Sequence, residues 1–155
     1  MHIRLLAVGD RQPSWVDAGF DSYAQRLPRQ WRFRLETIAT ARRGGTDGSA
    51  AREAESEKIL ERTRPAEFLV LLDEKGSQLS SRDLAGRLED WQVVGQDLVF
   101  VIGGPDGVAE SLFSRANFTW SLSTLTLPHG LARVLCAEQL YRAWSLTTGH
   151  PYHRD

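Results

Sequence analysis

Short apolar runs alternate with amphipathic stretches along the whole chain. IRLLAVG (3–9), FLVLLD (68–73) and DLVFVIGG (97–104) are almost unbroken apolar segments, the pattern of strands buried on both faces. FRLETI (33–38) alternates polar and apolar positions as a strand does, and FTWSLS (118–123) supplies a fifth candidate strand. Between these lie helical patterns. Pro13 opens one over 13–27, with Trp15, Phe20, Tyr23 and Leu27 on its apolar side. A glycine-rich loop, ATARRGGTDGSA, leads into a charged helix at 49–63 that ends before Pro65. Ser80 and Asp83 form a capping pattern for a helix that runs to Val94 and closes at Gly95. A short helix is expected at about 108–116, and the last helix at about 129–148. Buried strands alternating with helices give an α/β fold, a parallel sheet covered on both sides. Such sheets bind ligands at the carboxyl ends of their strands, which directs attention to the loops after residues 73, 104 and 123.

Two of those loops have suggestive chemistry. VIGGPDG (101–107) ends a buried strand with three glycines and a proline, which lets backbone turn sharply and a ligand approach closely. Its spacing is neither the dinucleotide pattern nor a Walker loop, and a simple turn would look the same. SLSTLTLPHG (121–130) alternates hydroxyls (Ser121, Ser123, Thr124, Thr126) with Leu122, Leu125 and Leu127. A heterocycle needs apolar walls for its faces and polar groups for its edge, although an edge strand would alternate likewise. His129 then opens the last helix, where a helix terminus can depress an imidazole's pKa or accept a cap from it. That helix carries Leu131, Val134, Leu135, Glu138, Tyr141, Arg142 and Ser145 at i, i+3, i+4 spacing. Glu138 and Arg142 are spaced for an ion pair within this apolar stripe, as suits an interface or a site rim. Cys136 reads as a small buried apolar residue.

Composition narrows the classes. A chain of 155 residues is expected to form one domain, residues 1–155. No apolar run approaches the ~20 residues that span a bilayer. The start lacks the pattern of a signal peptide, and one cysteine fits a reducing compartment, so a cytoplasmic location and no membrane partner are expected. Net charge is −1, which provides no global field for nucleic acid. Only Lys58 and Lys75 among the 19 basic residues are lysine. Six arginines (Arg26, Arg29, Arg32, Arg34, Arg42, Arg43) fall between residues 22 and 45 against one acid, Glu36. Arginine suits forked phosphate contacts, so this is a candidate RNA-binding face or a solvated arginine-rich one. Scattered histidines and one cysteine give no metal set, and no nucleophile frame appears. The chain closes on HPYHRD (150–155), an imidazole, a phenol and a guanidinium where chain ends are usually small and polar.

LLAVG, LLDEKG, VFVIGGPDG, SLSTLTLPH, EQLYRAW and the final YHRD together resemble the RlmH family of SPOUT-class methyltransferases, over the whole chain. Asp106 stands where relatives often carry glutamate. The resemblance implies an α/β parallel-sheet methyltransferase fold with a deep C-terminal trefoil knot, and a homodimer packed through the last helix. It implies methylation of N3 of a pseudouridine in 23S rRNA, in the helix 69 region of the large ribosomal subunit, with S-adenosylmethionine as donor and no metal. Leu72, Asp73, Gly103, Gly104 and the segment Ser123, Thr124, Leu125, Thr126, Leu127, Pro128 would form the donor pocket. The tail becomes a catalytic element: His153 as candidate base, Tyr152 stacking on or orienting the acceptor, and Arg154 and Arg142 holding phosphate or a uracil carbonyl. Asp155 or the terminal carboxylate is an alternative base. The competing class is a ribosome-associated RNA-binding protein with a vestigial knot pocket.

Overall fold

The computed structural model describes residues 1–44 and 47–153. Its strands are β1 (Ile3–Val8), β2 (Arg34–Ile38), β3 (Phe68–Gln78), β4 (Leu98–Ile102) and β5 (Phe118–Ser121). They form one sheet in the order β2-β1-β4-β3-β5, every pairing parallel. The helices are α1 (Ser14–Ala24), α2 (Ser49–Arg62), α3 (Ser81–Val94), α4 (Glu110–Arg115) and α5 (His129–Thr148), with a 3-10 turn at Arg29–Trp31.

Two cores explain the unbroken apolar runs. Ile3, Leu5 and Ala7 of β1, Val70 and Leu72 of β3, and Leu98, Phe100 and Ile102 of β4 face one core with Phe20 of α1, Leu88 of α3 and Leu140 of α5. The intervening Leu6, Val8, Leu69, Leu71, Val99 and Val101 face the other, with Ile59 of α2 and Leu112 of α4. Successive side chains of a strand point to opposite faces, so a strand covered on both sides is apolar at nearly every position; the exception, Arg4 of β1, is buried in ion pairs with Glu36 and Glu67. Helices α1, α5 and α3 cover one face; α2 and α4 cover the other.

Local signals held where they were strongest. Ser80 Oγ accepts the Asp83 amide at 3.0 Å, the Asp83 carboxylate accepts the Ser80 amide at 3.0 Å, and Gly95 closes α3 with φ 73°. The last helix begins at His129 and ends at Thr148.

Three expectations are corrected. Helix α1 stops at Ala24, and Trp15 is exposed; Val16 and Phe20 form its buried side. Strand β3 does not end at Asp73 but continues to Gln78, with a register shift between Leu72 and Ser77. Beyond the shift it pairs only with β5, so one edge stays in water and its residues are polar. A Cβ on Gly76 would lie 2.6 Å from the Thr119 carbonyl, so only glycine permits this approach. Finally, α5 faces the sheet with Arg133, Cys136, Ala137, Leu140 and Ala143, whereas Leu131, Val134, Leu135, Glu138 and Arg142 stay half-exposed.

Phe100 is fully buried and meets Trp91 and Trp120 edge-on at 6.1 and 6.2 Å. Phe100→Ala should lower unfolding free energy by about 3–5 kcal/mol, measured by urea denaturation. A loss under 1 kcal/mol would mean that this core is not close-packed.

Candidate active site

Four strands end at one cavity of about 840 Å³, and β3 passes it at Leu72 to Glu74 before running on to Gln78; the size suits a cofactor. Its walls come from the β1 end (Val8–Gln12), the β2 end (Ala39, Thr40), Leu72 to Glu74, the IGGP turn, the segment after β5, and the first turn of α5. The anticipated pocket residues Leu72, Asp73, Gly103, Gly104, Ser123, Leu125, Thr126 and Leu127 line it; Thr124 and Pro128 do not, Pro128 serving instead as the N-cap of α5. The β1 and β2 ends, Gly9 to Gln12 and Thr40, are a part that the sequence reading passed over. Applied to every strand, the strand-end rule would have included them.

The glycines are explained by protein contacts. A Cβ on Gly103 would collide with Val108, and one on Gly104 would lie 2.5 Å from Glu55 Oε1. Glu55, buried on α2, accepts from the Ala41 amide at 2.9 Å and from Arg43 at 2.6 and 3.0 Å, while Arg43 Nε reaches Asp106 at 3.0 Å. Gly104 therefore makes room for a carboxylate that ties segment 41–43 over the turn. The turn itself closes with the Gly107 amide donating to the Gly104 carbonyl at 3.0 Å.

The loop after β5 shapes itself. Ser121 Oγ donates to the Ser123 carbonyl at 3.0 Å, and Ser123 Oγ accepts the Leu125 amide at 2.9 Å. The Ser121 proton is spent on the turn, while Ser123, which only accepts there, keeps its hydroxyl proton for a ligand. Leu125 is 72% exposed at the cavity mouth, ready to be covered by whatever enters.

Arg133 is 1% exposed. It donates to the carbonyl of Gly9 and, at 3.0 Å, to His129 Nε2. Burial and this guanidinium push the His129 pKa down to about 4, a hydrogen bond with the Gly103 backbone opposing them. The imidazole at the cavity wall is neutral near pH 7. Burial pushes the Cys136 thiol up to about 12, consistent with an inert core residue.

The expected catalytic residues meet elsewhere. Tyr152 Oη donates to Glu138 Oε1 at 2.9 Å, Arg142 donates to the same oxygen at 2.7 and 3.0 Å, and its guanidinium lies 5.0 Å from the centre of the Tyr152 ring. Burial, with hydrogen bonds to Tyr23 and Glu138, raises the Tyr152 pKa above the ordinary phenol range. His153 Nδ1 lies 3.3 Å from Ser145 Oγ. Arg154 lies outside the described residues. Glu138, which the sequence showed only as an ion-pair partner, is the hub of this group. None of Glu138, Arg142, Tyr152 and His153 lines the cavity. From His129 to Ser145 the helix rises about 24 Å at ~1.5 Å per residue.

Among the described residues no group of three or more His, Cys, Asp or Glu could hold a metal ion. The cavity suits S-adenosylmethionine by its make-up: Val8, Ile102 and Leu127 give apolar walls, the turns give backbone amides and carbonyls, and Asp10 and Asp73 give carboxylates for a cationic ligand.

A parallel α/β sheet with one ligand-sized cavity at its strand ends defines the class, and comparison with known proteins gives it a name. A family model described as "Predicted SPOUT methyltransferase" matches residues 1–153, and the chain belongs to this family of methyltransferases. It is 46% identical to the Ribosomal RNA large subunit methyltransferase H of Thioalkalivibrio sulfidiphilus over 156 residues, covering all of both chains. It is 48% identical to the protein of that name from Nitrosococcus oceani, over 99% of each.

Two measurements probe these contacts. The folded state keeps His129 neutral, while the unfolded chain protonates it below its ordinary pKa of about 6.5. Stability from this group is therefore complete above pH 6.5 and is lost as pH falls towards 4. His129→Gln should flatten the decline in stability between pH 7 and 4.5 by on the order of 2 kcal/mol; an unchanged slope would place the ring in water. Gly104→Ala should destabilise by about 1–3 kcal/mol. Glu55→Ala in the same chain should relieve part of that loss, and strict additivity would remove the proposed contact.

Proposed function

We propose that the protein methylates N3 of a pseudouridine in the helix 69 region of 23S rRNA, with S-adenosylmethionine as donor, as a homodimer whose tails complete each other's sites. The family and the names of the relatives support rRNA methylation. The observation that carries the composite site is the length of α5. Its first turn forms the donor cavity, while Tyr152 and His153 pack against its far end, so one chain cannot bring its own tail to its own cavity in this arrangement. A second copy packed antiparallel along α5 would set each tail beside the partner's cavity. The half-exposed Leu131 and Leu135 are the surface for that packing, Val134 being set against Gly19 of α1. The family fold's trefoil knot would thread the segment between β5 and α5, and the compact loop built by Ser121 and Ser123 fits such a passage.

Bound S-adenosylmethionine supplies a methyl carbon activated by its sulfonium. The chain's task is alignment, which supplies most of the acceleration in such a displacement. Transfer would form the N3–methyl bond as the methyl–sulfur bond breaks, its electron pair going to sulfur. His153 takes the N3 proton. Tyr152, kept protonated by burial and by Glu138, holds the base by stacking and hydrogen bonding. Arg142, fixed by Glu138, and Arg154 place positive charge where a uracil carbonyl or phosphate would lie.

Deleting residues 152–155 should leave the fold and donor binding in EDTA almost unchanged by calorimetry. Methylation of large subunits, read by mass spectrometry of the rRNA, should drop by at least a thousandfold. Mixing this chain with a full-length chain blocked at the cavity by Leu127→Arg should restore activity in the heterodimer. Lack of rescue in verified heterodimers would assign each tail to its own subunit, and normal turnover without the tail would remove it from catalysis.

A further inference from the structure

A second cavity, of about 270 Å³, lies at the opposite edge of the sheet. The amino ends of β1, β2 and β4 and the approach to β3 form it, and Arg4, Arg32, Arg34 and Arg64 line it with Glu67 and Asp97. The arginine-rich stretch read from sequence is thus divided by β2. Arg43 goes to the donor end, where Glu55 and Asp106 neutralise it, while Arg32 and Arg34 stay at the amino end.

The acids of this second cavity are already engaged. Glu67 holds the fork of buried Arg4 at 2.7 and 2.8 Å and accepts the Arg64 amide at 2.7 Å. Asp97 accepts the His2 amide at 2.8 Å. Arg34 pairs with Glu36, which also receives Arg4. Among the described residues the guanidinium groups of Arg32 and Arg64 enter no ion pair. Arg32 also takes a left-handed backbone, φ 49° and ψ 40°, where every other described residue of positive φ is glycine. Such a conformation in a long side chain is unfavourable, and an arginine there keeps a guanidinium at the rim that glycine would not supply.

The cavity also shares an end of the molecule with the tail. Helix α5 starts at the donor cavity and runs back across the sheet, as α1 does before it leads into the 3-10 turn and Arg32. Tyr152 lies 6.4 Å from Tyr23 near the end of α1, and Arg26 covers the rings of Tyr23 and Tyr141 at 5.6 and 5.7 Å.

We propose that the cavity of Arg32, Arg34 and Arg64 binds a backbone phosphate of the RNA whose base is delivered to the tail. Buried Arg4 and Glu67 form its rigid floor; at the rim Arg32 and Arg64 make no close ion pair, although the Arg64 charge does act on Glu67, and two such forked donors suit a phosphate. The inference rests on rRNA being the substrate.

The test uses the full chain carrying Arg32→Gly and Arg64→Gln together. Arg32→Gly relieves the left-handed backbone, so the melting temperature should not fall, and calorimetric donor affinity should match that of the unsubstituted protein. Binding to purified large ribosomal subunits, and to protein-free 23S rRNA, should weaken at least tenfold at low salt. The slope of log K against log salt should become shallower by about 1, as expected for one lost phosphate contact. Lysine at both positions should recover most of the affinity. Equal affinity and slope for the variant, in a protein that still methylates subunits, would sink the phosphate site and leave the methyltransferase reading intact. Weakened binding to subunits alone, with protein-free RNA bound as before, would also overturn it and assign the patch to a ribosomal protein. If the unsubstituted protein methylates nothing, the substrate reading fails, while the salt slope on protein-free RNA still decides the phosphate contact.

Discussion

The buried guanidinium of Arg133 joins the first strand of the chain to its last helix. An arginine this deep needs compensation for lost hydration, and it finds that in the carbonyl at the β1 end and in the His129 ring. Charge-assisted bonds of this kind contribute about 1.5–3 kcal/mol each, and removing their donor would leave buried acceptors unmet. The contact fixes where α5 begins, at the carboxyl edge of the sheet. Once that start is pinned, the straight helix determines where Glu138, Arg142 and the tail must lie. The separation of donor cavity from tail is thus set by one buried charge and the rise of a helix.

The same geometry divides labour between the sheet's two edges. At the carboxyl edge, turns close over a cavity whose shape is held by internal bonds, Glu55 with Arg43, Ser123 with the Leu125 amide and Arg133 with Gly9, while Asp10 and Asp73 face it. A preorganised wall of this kind suits a small ligand whose methyl must be aligned. At the amino edge, Arg4, Arg32, Arg34 and Arg64 outnumber Glu67 and Asp97, and among the described residues Arg32 and Arg64 make no close ion pair, as suits a polyanion met through its backbone. A chain with net charge −1 can therefore present a local basic surface to RNA without attracting it everywhere.

Much of the fold was legible from local pattern. The unbroken runs IRLLAV and LVFVI, the Ser80 and Gly95 caps, and the start of α5 after Pro128 each follow from the rules of one strand or one helix, and each stands where the sequence placed it. The strand-end rule likewise pointed to three of the segments that wall the cavity. The walls at Gly9 to Gln12 and at Thr40 follow from the same rule at the ends of β1 and β2. The polar continuation of β3 carried no apolar signal, because its pairing beyond Gly76 depends on how close β5 can come.

By itself the sequence determined the order and kind of the elements, since periodicity and capping act within a few residues. It also supplied the motifs that resemble a methyltransferase family. Tertiary structure alone decided which distant residues meet. It gave Gly103 and Gly104 their reason in Val108 and Glu55, turned Leu131 and Val134 away from the sheet, and gathered Arg4, Arg32, Arg34 and Arg64 from segments far apart in the chain. The physical cause is the strand order β2-β1-β4-β3-β5. Crossovers set which strand ends are neighbours, and that choice rests on the burial of both faces of the sheet together, which no local stretch encodes.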